Sequence, residues 1–376
     1  MNQYNTAMKT IRLLIICLLV VPLLSFTTNE KPSRKVALIL DTSNSMDGLI
    51  DQAKSQLWNI VDELSKARCD EEIPDLEIAL YEYGNDRLPM REGYIRLVTP
   101  FTSDLDLISE KLFSLKTDGG SEYCGQVIAS SIKELDWEEY PKDLKLIFIA
   151  GNEPFDQGNV SYREVCKNAN KMDITVNTIF CGNFSEGVRT HWKDGAYIGG
   201  GDYMNIDQDC KYVHIVSPYD DRIMELNKEL NKTYLAYGEK GKVFAMRQAD
   251  QDNNAYELNE SVAIKRVKTK SSKAYKNTEW DLIDAYADES TAIENIEEED
   301  LPDEMKGMTD SEKTAYVIKK KEERESIQKE IQELDAKREL YVAEKRKNDP
   351  DNMLDKAILV AVEKQANKKS FKFIKD

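Results

Sequence analysis

Three oxygen-bearing side chains at alternate positions, Asp41, Ser43 and Ser45, directly follow the apolar run of residues 36–40. Such a run is typical of a buried strand, and residues 49–64 show the spacing of an amphipathic helix. Ligands of open α/β sheets bind at the carboxyl ends of strands, and hard cations such as Mg²⁺ take oxygen ligands. The carboxylate and the two hydroxyls therefore supply part of a possible divalent-cation site.

The D-x-S-x-S spacing of these residues resembles the metal-ion-dependent adhesion site (MIDAS) of von Willebrand factor A (VWA) domains. The resemblance implies that Asp41 anchors the ion largely through water, while Ser43 and Ser45 ligate it directly. It also implies that an acidic side chain of a protein partner completes the coordination. Mg²⁺ is the expected ion, with Ca²⁺ or Mn²⁺ as alternatives. The competing interpretation is that the same residues only turn the chain and cap the next helix.

A second loop, residues 117–122, contains paired glycines that permit a tight backbone approach. It resembles the second metal loop of the family, in which a threonine after the glycines coordinates the ion. Ser121 stands at that place, Thr117 is the less favoured substitute, and Glu122 adds charge. The alternative is a glycine-rich turn with a capping serine.

The third loop departs from the family pattern, which has an aspartate after the strand predicted at residues 144–150. Gly151 stands at that position, and Asn152 and Glu153 are the nearest substitutes, with Asp156 further away. The loss of one carboxylate weakens the electrostatic hold on an ion. A Gly-Asn turn that binds no ion is therefore the alternative at this loop.

Strand-like and helical segments alternate along the first half of the chain, which predicts parallel βαβ units in a doubly wound, mostly parallel sheet. Their order resembles a VWA domain over residues 35–216. The predicted strands after the first are residues 76–84, 94–98, 144–150, 174–180 and 203–206, and the helices after the first are residues 105–115, 125–135 and 162–172.

The second half predicts an α-helical extension of this α/β domain. Residues 217–300 form a mixed polar segment with one strand-like stretch at 261–267, and residues 311–376 form a helical hairpin or coiled-coil-like tail. We favour packing of this tail against the α/β domain over a partner-binding arm. The whole arrangement resembles secreted bacterial proteins that join an A domain to a helical tail.

The N-terminus predicts a signal peptide over residues 1–27. Lys9 and Arg12 precede an apolar stretch at 13–24, which is too short to span a bilayer comfortably. We expect export to the periplasm or the medium, with no stable transmembrane span after cleavage. Cys17 predicts no lipid anchor, because Ile16 stands where a small residue is needed.

Composition narrows the class of partner. The 376 residues carry a net charge of −17, which argues against nucleic acid because its recognition needs clustered lysine and arginine. An odd number of cysteines follows the predicted signal, so at least one has no intramolecular partner. These five, whose pairing the sequence does not give, are Cys69, Cys124, Cys166, Cys181 and Cys210.

The sequence shows no nucleophile elbow, Walker loop or dinucleotide fingerprint, so we expect no enzyme. The predicted function is an extracytoplasmic adhesion or scaffold module that binds partners through a MIDAS-type cation. The alternative is a metal-independent structural component of a cell-envelope complex that docks through its helical tail. A third hypothesis, an adaptor for an AAA+ ATPase, suits the fold but conflicts with export.

Overall fold

The computed structural model describes residues 32–69, 74–137, 140–206, 215–345 and 353–373, with side chains described from residue 360 onward in the last segment. These residues belong to one compact unit that begins at Pro32. The predicted signal peptide, Cys17 and Cys210 lie outside the described residues.

A six-stranded sheet lies at the centre of the unit. Its strands are β1 (Arg34–Asp41), β3 (Leu76–Tyr83), β4 (Ile95–Thr102), β5 (Leu144–Gly151), β6 (Ile174–Cys181) and β7 (Gly200–Ile206), in the order β4-β3-β1-β5-β6-β7. The edge strand β4 is antiparallel to β3, and the other neighbours are parallel. All eight residues of β1 are buried, as expected for a parallel strand covered on both faces. The predicted doubly wound, mostly parallel sheet is confirmed.

Helices cover both faces of this sheet. The helices of this half are α1 (Ile50–Ser65), α2 (Leu105–Ser114), α3 (Cys124–Glu134), α4 (Tyr162–Lys171), α5 (Phe184–Arg189) and α6 (Trp192–Ile198). On one face, Leu38 packs with α1 and α2, and on the other Ile39 packs with α3, α4 and α6.

The predicted C-terminal extension is helical, and part of it packs on the first of these faces. The extension contains α7 (Asp220–Asn231), α8 (Gly241–Leu258), α9 (Glu260–Ser271), α10 (Leu282–Ala287), α11 (Asp310–Lys345) and α12 (Met353–Lys368). Helix α9 contacts α1, α8 contacts α2, and α12 contacts α1 and β7. Val262 and Val362 from the extension join the same apolar cluster as Leu38.

The two long tail helices are present, but each packs mainly on other elements. Helix α11 lies on α7, α9 and α10, whereas α12 lies on α1, β7 and β8 (Phe371–Phe373). Strand β8 pairs antiparallel with β2 (Ala67–Cys69), the strand that directly follows α1. None of the described helices is both long and apolar enough to cross a bilayer.

The strand-like stretch predicted at residues 261–267 is wrong, because it lies inside α9. The side chain of Asn259 accepts a hydrogen bond from the backbone N–H of Ser261 at 2.7 Å and so caps the helix. Arg266 and Lys270, four residues apart, share the buried surface of α9 with its apolar residues. These polar residues broke the apolar periodicity by which a helix is recognised in sequence.

Buried ion pairs join α9 to the α/β half. The guanidinium of Arg266 lies 2.7 Å from a carboxylate oxygen of Asp106 on α2 and 2.7 Å from one of Asp252 on α8. The ammonium of Lys270 lies 2.7 Å from the second oxygen of Asp252. Three elements are thus held together by alternating charges.

Candidate functional site

The first and third predicted loops meet because β1 and β5 are parallel neighbours that end at the same edge of the sheet. The hydroxyl of Ser45 donates a hydrogen bond to Oδ1 of Asn152 at 2.7 Å, and Nδ2 of Asn152 donates to the carbonyl oxygen of Ser45 at 2.8 Å. The hydroxyls of Ser43 and Ser45 lie 2.8 Å apart. Ser43, Ser45 and Asn152 therefore form one hydrogen-bonded cluster.

The second loop reaches the same point because two glycines let backbones touch. A Cβ on Gly120, whose φ is +117°, would lie 1.8 Å from the carbonyl oxygen of Gly84, and a Cβ on Gly84 would lie 2.7 Å from Oδ1 of Asp41. The backbone N–H of Asp118 donates to the carbonyl oxygen of Thr42 at 2.9 Å. No side chain fits at either glycine without moving the loops apart.

Asp41 is completely buried at the centre of these loops. Its Oδ1 accepts a hydrogen bond from the backbone N–H of Ser43 at 2.8 Å, while its Oδ2 has no hydrogen-bond partner among the described residues. Burial raises the pKa of Asp41 to about 7, and the negative charge of Glu122 adds to the rise. The backbone N–H and the hydroxyl of Ser43 and the backbone N–H of Asn152 lower the pKa of Asp41 in part.

A second carboxylate, Glu122, lies next to Asp41 and Ser43. Burial raises the pKa of Glu122 to about 7, and the charge of the nearby Glu153 adds to this rise. The backbone N–H of Glu122 itself and the side chains of Gln157 and Ser43 lower the pKa in part. From the sequence, Glu122 was expected only to add charge, although an acid two residues after the paired glycines was the signal that could have identified it.

The predicted ligands are therefore brought together unequally. Asp41, Ser43, Ser45 and Asn152 surround one point, and Glu153 lies close enough to affect the pKa of Glu122. The hydroxyl of Ser121 makes no hydrogen bond within the described part of the chain. Thr117, the other candidate from that loop, donates to the carboxylate of Asp47 instead.

Gly151 occupies the position of the missing family aspartate because no space exists there for a side chain. A Cβ at Gly151 would lie 2.3 Å from the hydroxyl oxygen of Tyr83 and 3.0 Å from Oδ2 of Asp41. The Tyr83 hydroxyl donates to the carbonyl oxygen of Ala150 at 3.2 Å, which holds the ring in this position. The Tyr83 hydroxyl thus fills the space that the side chain of an aspartate at position 151 would need.

The groups around Asp41 are carboxylate, hydroxyl and amide oxygens, which hard cations such as Mg²⁺ prefer. The buried Oδ2 of Asp41 lacks a partner, and an ion or a water bound to it would supply one. The described residues contain no group of three histidine, cysteine or acidic side chains that could hold a metal ion. Any ion here must therefore depend on the serine and asparagine oxygens.

The described half from Arg34 to Ile206 defines a class of fold: a doubly wound α/β domain with one antiparallel edge strand and side chains for ligand binding at the carboxyl ends of β1 and β5. The doubly wound, mostly parallel α/β fold expected from the resemblance to VWA domains is therefore present. No protein-family model matches the chain, and the comparison with curated proteins gives no match.

The comparison with solved structures gives matches of low sequence identity over about half of this chain. BatB from Bacteroides thetaiotaomicron is 18% identical, with 46% of this chain and 91% of that chain covered at a TM-score of 0.36. The SpRpn10 VWA domain is 14% identical, with 47% and 89% covered at a TM-score of 0.36. Proximal thread matrix protein 1 from the mussel byssus, with a zinc-occupied MIDAS motif, is 13% identical, with 52% and 44% covered at a TM-score of 0.34.

Proposed function

We propose that this protein is an extracytoplasmic protein-binding module that holds its partner through a divalent cation at the Asp41 edge of the sheet. The observation that carries the proposal is the pair of buried acids, Asp41 and Glu122, beside the hydroxyls of Ser43 and Ser45. Two neighbouring buried carboxylates repel each other unless a proton or a cation separates them. The unpartnered Oδ2 of Asp41 is an atom that such an ion, or its water, would satisfy.

Mg²⁺ bound here would supply positive charge and a coordination position for a partner's acidic side chain. Asp41 and Glu122 would provide the negative charge of the site, while Ser43, Ser45 and Asn152 would provide neutral oxygens. Glu122 would thereby compensate for the carboxylate that Gly151 lacks. The proposal leaves Ser121 outside the set of ligands.

The charge of the protein makes the ion necessary for this mode of binding. A partner's carboxylate would meet Glu122 and Glu153 at the edge of the sheet, in a chain of net charge −17. Without a cation the like charges repel, so partner binding must be sensitive to chelators. Export to the periplasm or the medium rests on the sequence of residues 1–27.

The site suits binding better than catalysis. Asp41 is fully buried, so a small ion or a water could reach its carboxylate, but a substrate could not contact it. A general acid or base must lie within hydrogen-bond reach of the proton that it transfers. We therefore propose no enzymatic role for the raised pKa values of Asp41 and Glu122.

The test measures cation binding and partner binding together. The Asp41→Ala variant should bind Mn²⁺, observed by electron paramagnetic resonance, at least about 10-fold more weakly than the parent, because it loses the central carboxylate. It should also fail to retain partners from an envelope extract, as the parent should when EDTA is present. Asp51→Ala removes an equal charge from an exposed position and serves as the control. Equal Mn²⁺ affinity in both variants would contradict the proposal.

A second candidate function is a metal-independent structural component of an envelope complex that docks through the helical tail. It is favoured by the hydrogen bonds among Ser43, Ser45 and Asn152, which pair these groups without an ion. Leu340 on α11 is 73% exposed and offers an apolar contact. This candidate requires that Leu340→Glu abolish partner binding while EDTA and Asp41→Ala leave it unchanged.

A further inference from the structure

A cavity of about 480 Å³ opens at the end of the sheet opposite the Asp41 site. It lies where β5, β6 and β7 begin, beside the C-terminal end of α12. Its size falls within the range of small-molecule sites. The residues that line it are Pro141, Lys142, Leu144, Lys145, Asn170, Asp173, Thr175, Gly200, Gln365, Lys368, Lys369 and Ser370.

The lining of this cavity is basic, in contrast to the acidic chain as a whole. Four lysines stand against one acid, Asp173, and Asp173 is already paired with Lys369. Lys369 also donates to the carbonyl oxygen of Pro141 at 3.0 Å, so it braces the wall. Lys145 and Lys368 form no ion pair within the described residues, so they leave positive charge at the cavity.

Lys145 is the unusual member of this set, because it is only 6% exposed. It lies opposite Lys35 of the neighbouring strand β1, which places two like charges side by side. The ammonium of Lys35 donates to the carbonyl oxygen of Asp136 at 2.8 Å and lies 3.5 Å from a carboxylate oxygen of Glu77. Lys145 has neither a hydrogen bond nor an ion pair within the described residues. The stem of Lys145 is buried, but its ammonium nitrogen keeps access to solvent, so an anion in the cavity can pair with it.

Two further polar side chains belong to the wall. Nε2 of Gln365 donates to Oδ1 of Asn177 at 2.6 Å and to Oδ2 of Asp202 at 3.0 Å. Its amide group is therefore already hydrogen-bonded and holds the wall of the cavity together. Asn170 donates to the carbonyl oxygen of Ile198 at 3.3 Å. The side chain of Thr175 and the carbonyl group of Asn170 are left as groups that a ligand hydroxyl could contact.

We propose that this cavity binds the phosphate group of a small phosphate ester, with the ammonium of Lys145 at its base and that of Lys368 beside it. Lysine ammonium groups bind phosphate as point charges. The cavity is several times larger than a phosphate ion, so the rest of the ester fills the space beside Asn170 and Thr175. The ester is either soluble or the headgroup of a phospholipid.

The test uses glycerol 3-phosphate and calorimetric titration of the purified full chain. Lys145→Met keeps the length of the side chain and removes its charge, and it should weaken binding by about 10-fold or more. Lys319→Met removes one lysine from the exposed surface of α11 and should change the affinity less than about twofold. No binding to the parent protein, or equal losses in the two variants, would overturn the proposal.

A second variant and a second probe keep the test decisive. Lys368 is exposed, so Lys368→Met should fold normally and still weaken glycerol 3-phosphate binding by about threefold. Flotation with phosphatidylcholine vesicles, with and without phosphatidylglycerol, distinguishes the source: a headgroup site binds only the second kind and loses that binding in Lys145→Met. Vesicle binding that is unaffected by Lys145→Met, without binding of the soluble ester, would show a mere basic surface and overturn the proposal.

Discussion

Acidic side chains are shielded from water both at the interface of α2, α8 and α9 and at the carboxyl edge of the sheet. Their pKa values shift in opposite directions in these two regions. At the interface, burial pushes the pKa of Asp252 up, and the charges of Lys270 and Arg266 outweigh it, so the pKa lies well below its usual range. At the sheet edge, burial raises the pKa of Asp41 to about 7, and the neighbouring Glu122 raises it further. The pKa values of the two acids shift in opposite directions because only the interface supplies cations.

This difference separates structural charge from functional charge. The acids of the interface are neutralised by lysine and arginine of the same chain, so they need nothing from outside. The acids of the sheet edge are neutralised only by protons or by an ion that enters from solvent. A buried acid whose partner is missing from the chain is therefore the better candidate for a binding site.

The largest predicted effect concerns the interface. Arg266→Met should lower the free energy of unfolding by about 3–5 kcal/mol, because Asp106 and Asp252 are left buried with less compensation. Urea unfolding measures the loss. Arg222→Met removes an exposed arginine that pairs with Glu330, and as the control it should cost less than about 1 kcal/mol. Equal losses would mean that the interface charges are not structural.

The next effect concerns the sheet edge, where a substitution should raise the free energy of unfolding instead of lowering it. Folded Asp41 keeps its proton up to about pH 7, whereas the unfolded chain releases it near the ordinary value of 3.8. The folded state thus binds more protons between these values, so the free energy of unfolding falls as the pH rises through them. Asp41→Asn should remove this fall and stabilise the metal-free protein at about pH 8 by up to about 4 kcal/mol.

Urea unfolding at about pH 5 and pH 8 in EDTA provides the measurement. Mg²⁺ should restore stability to the parent at the higher pH and have no such effect on Asp41→Asn, because a neutral amide holds the ion poorly. Glu122, whose pKa is also raised, leaves a smaller pH dependence in the variant. Equal stability of parent and variant at about pH 8 would contradict the prediction.

The sequence predicted the sheet and the first loop because their signals are local. Asp41, Ser43 and Ser45 follow a fully buried strand within five positions, so the strand itself carries them to the sheet edge. The position of Ser121 came from a resemblance. The backbone contact between Gly120 and Gly84 instead brings the next residue, Glu122, toward Asp41. A difference of one residue in a glycine loop is a tertiary effect that spacing does not reveal.

The helical layer was harder to predict for a different reason. Helix α9 buries Arg266 and Lys270 among apolar residues, so its buried face has no clean hydrophobic period. The pairing of these charges with Asp106 and Asp252 depends on how α2, 160 residues away in sequence, and the neighbouring α8 pack against α9. The burial of a charged residue can be predicted only when its oppositely charged partners are known.

A smaller effect tests the departure from the family at Gly151. Gly151→Asp should destabilise the protein by about 1–3 kcal/mol, because the new side chain collides with the hydroxyl of Tyr83. Adding Tyr83→Phe removes that hydroxyl and should recover part of the loss, measured by thermal unfolding. The double variant should also bind Mg²⁺ more tightly than the parent. Loss of Mg²⁺ binding in the double variant would mean that the site cannot accept the family carboxylate.

The smallest effect distinguishes the acid that the structure brings to Asp41 from the serine that the resemblance indicated. Glu122→Gln should weaken Mg²⁺ binding by about 10-fold, or about 1.4 kcal/mol, because it removes one of two charges beside the ion. Ser121→Ala, at the neighbouring position, should change the affinity less than about twofold, because its hydroxyl forms no hydrogen bond with the other site residues in the described part of the chain. Calorimetric titration at about pH 8, where both acids are mostly ionised, measures both. If Ser121→Ala weakens binding more than Glu122→Gln, the ion sits where the family places it, and Glu122 does not take over from the carboxylate lost at Gly151.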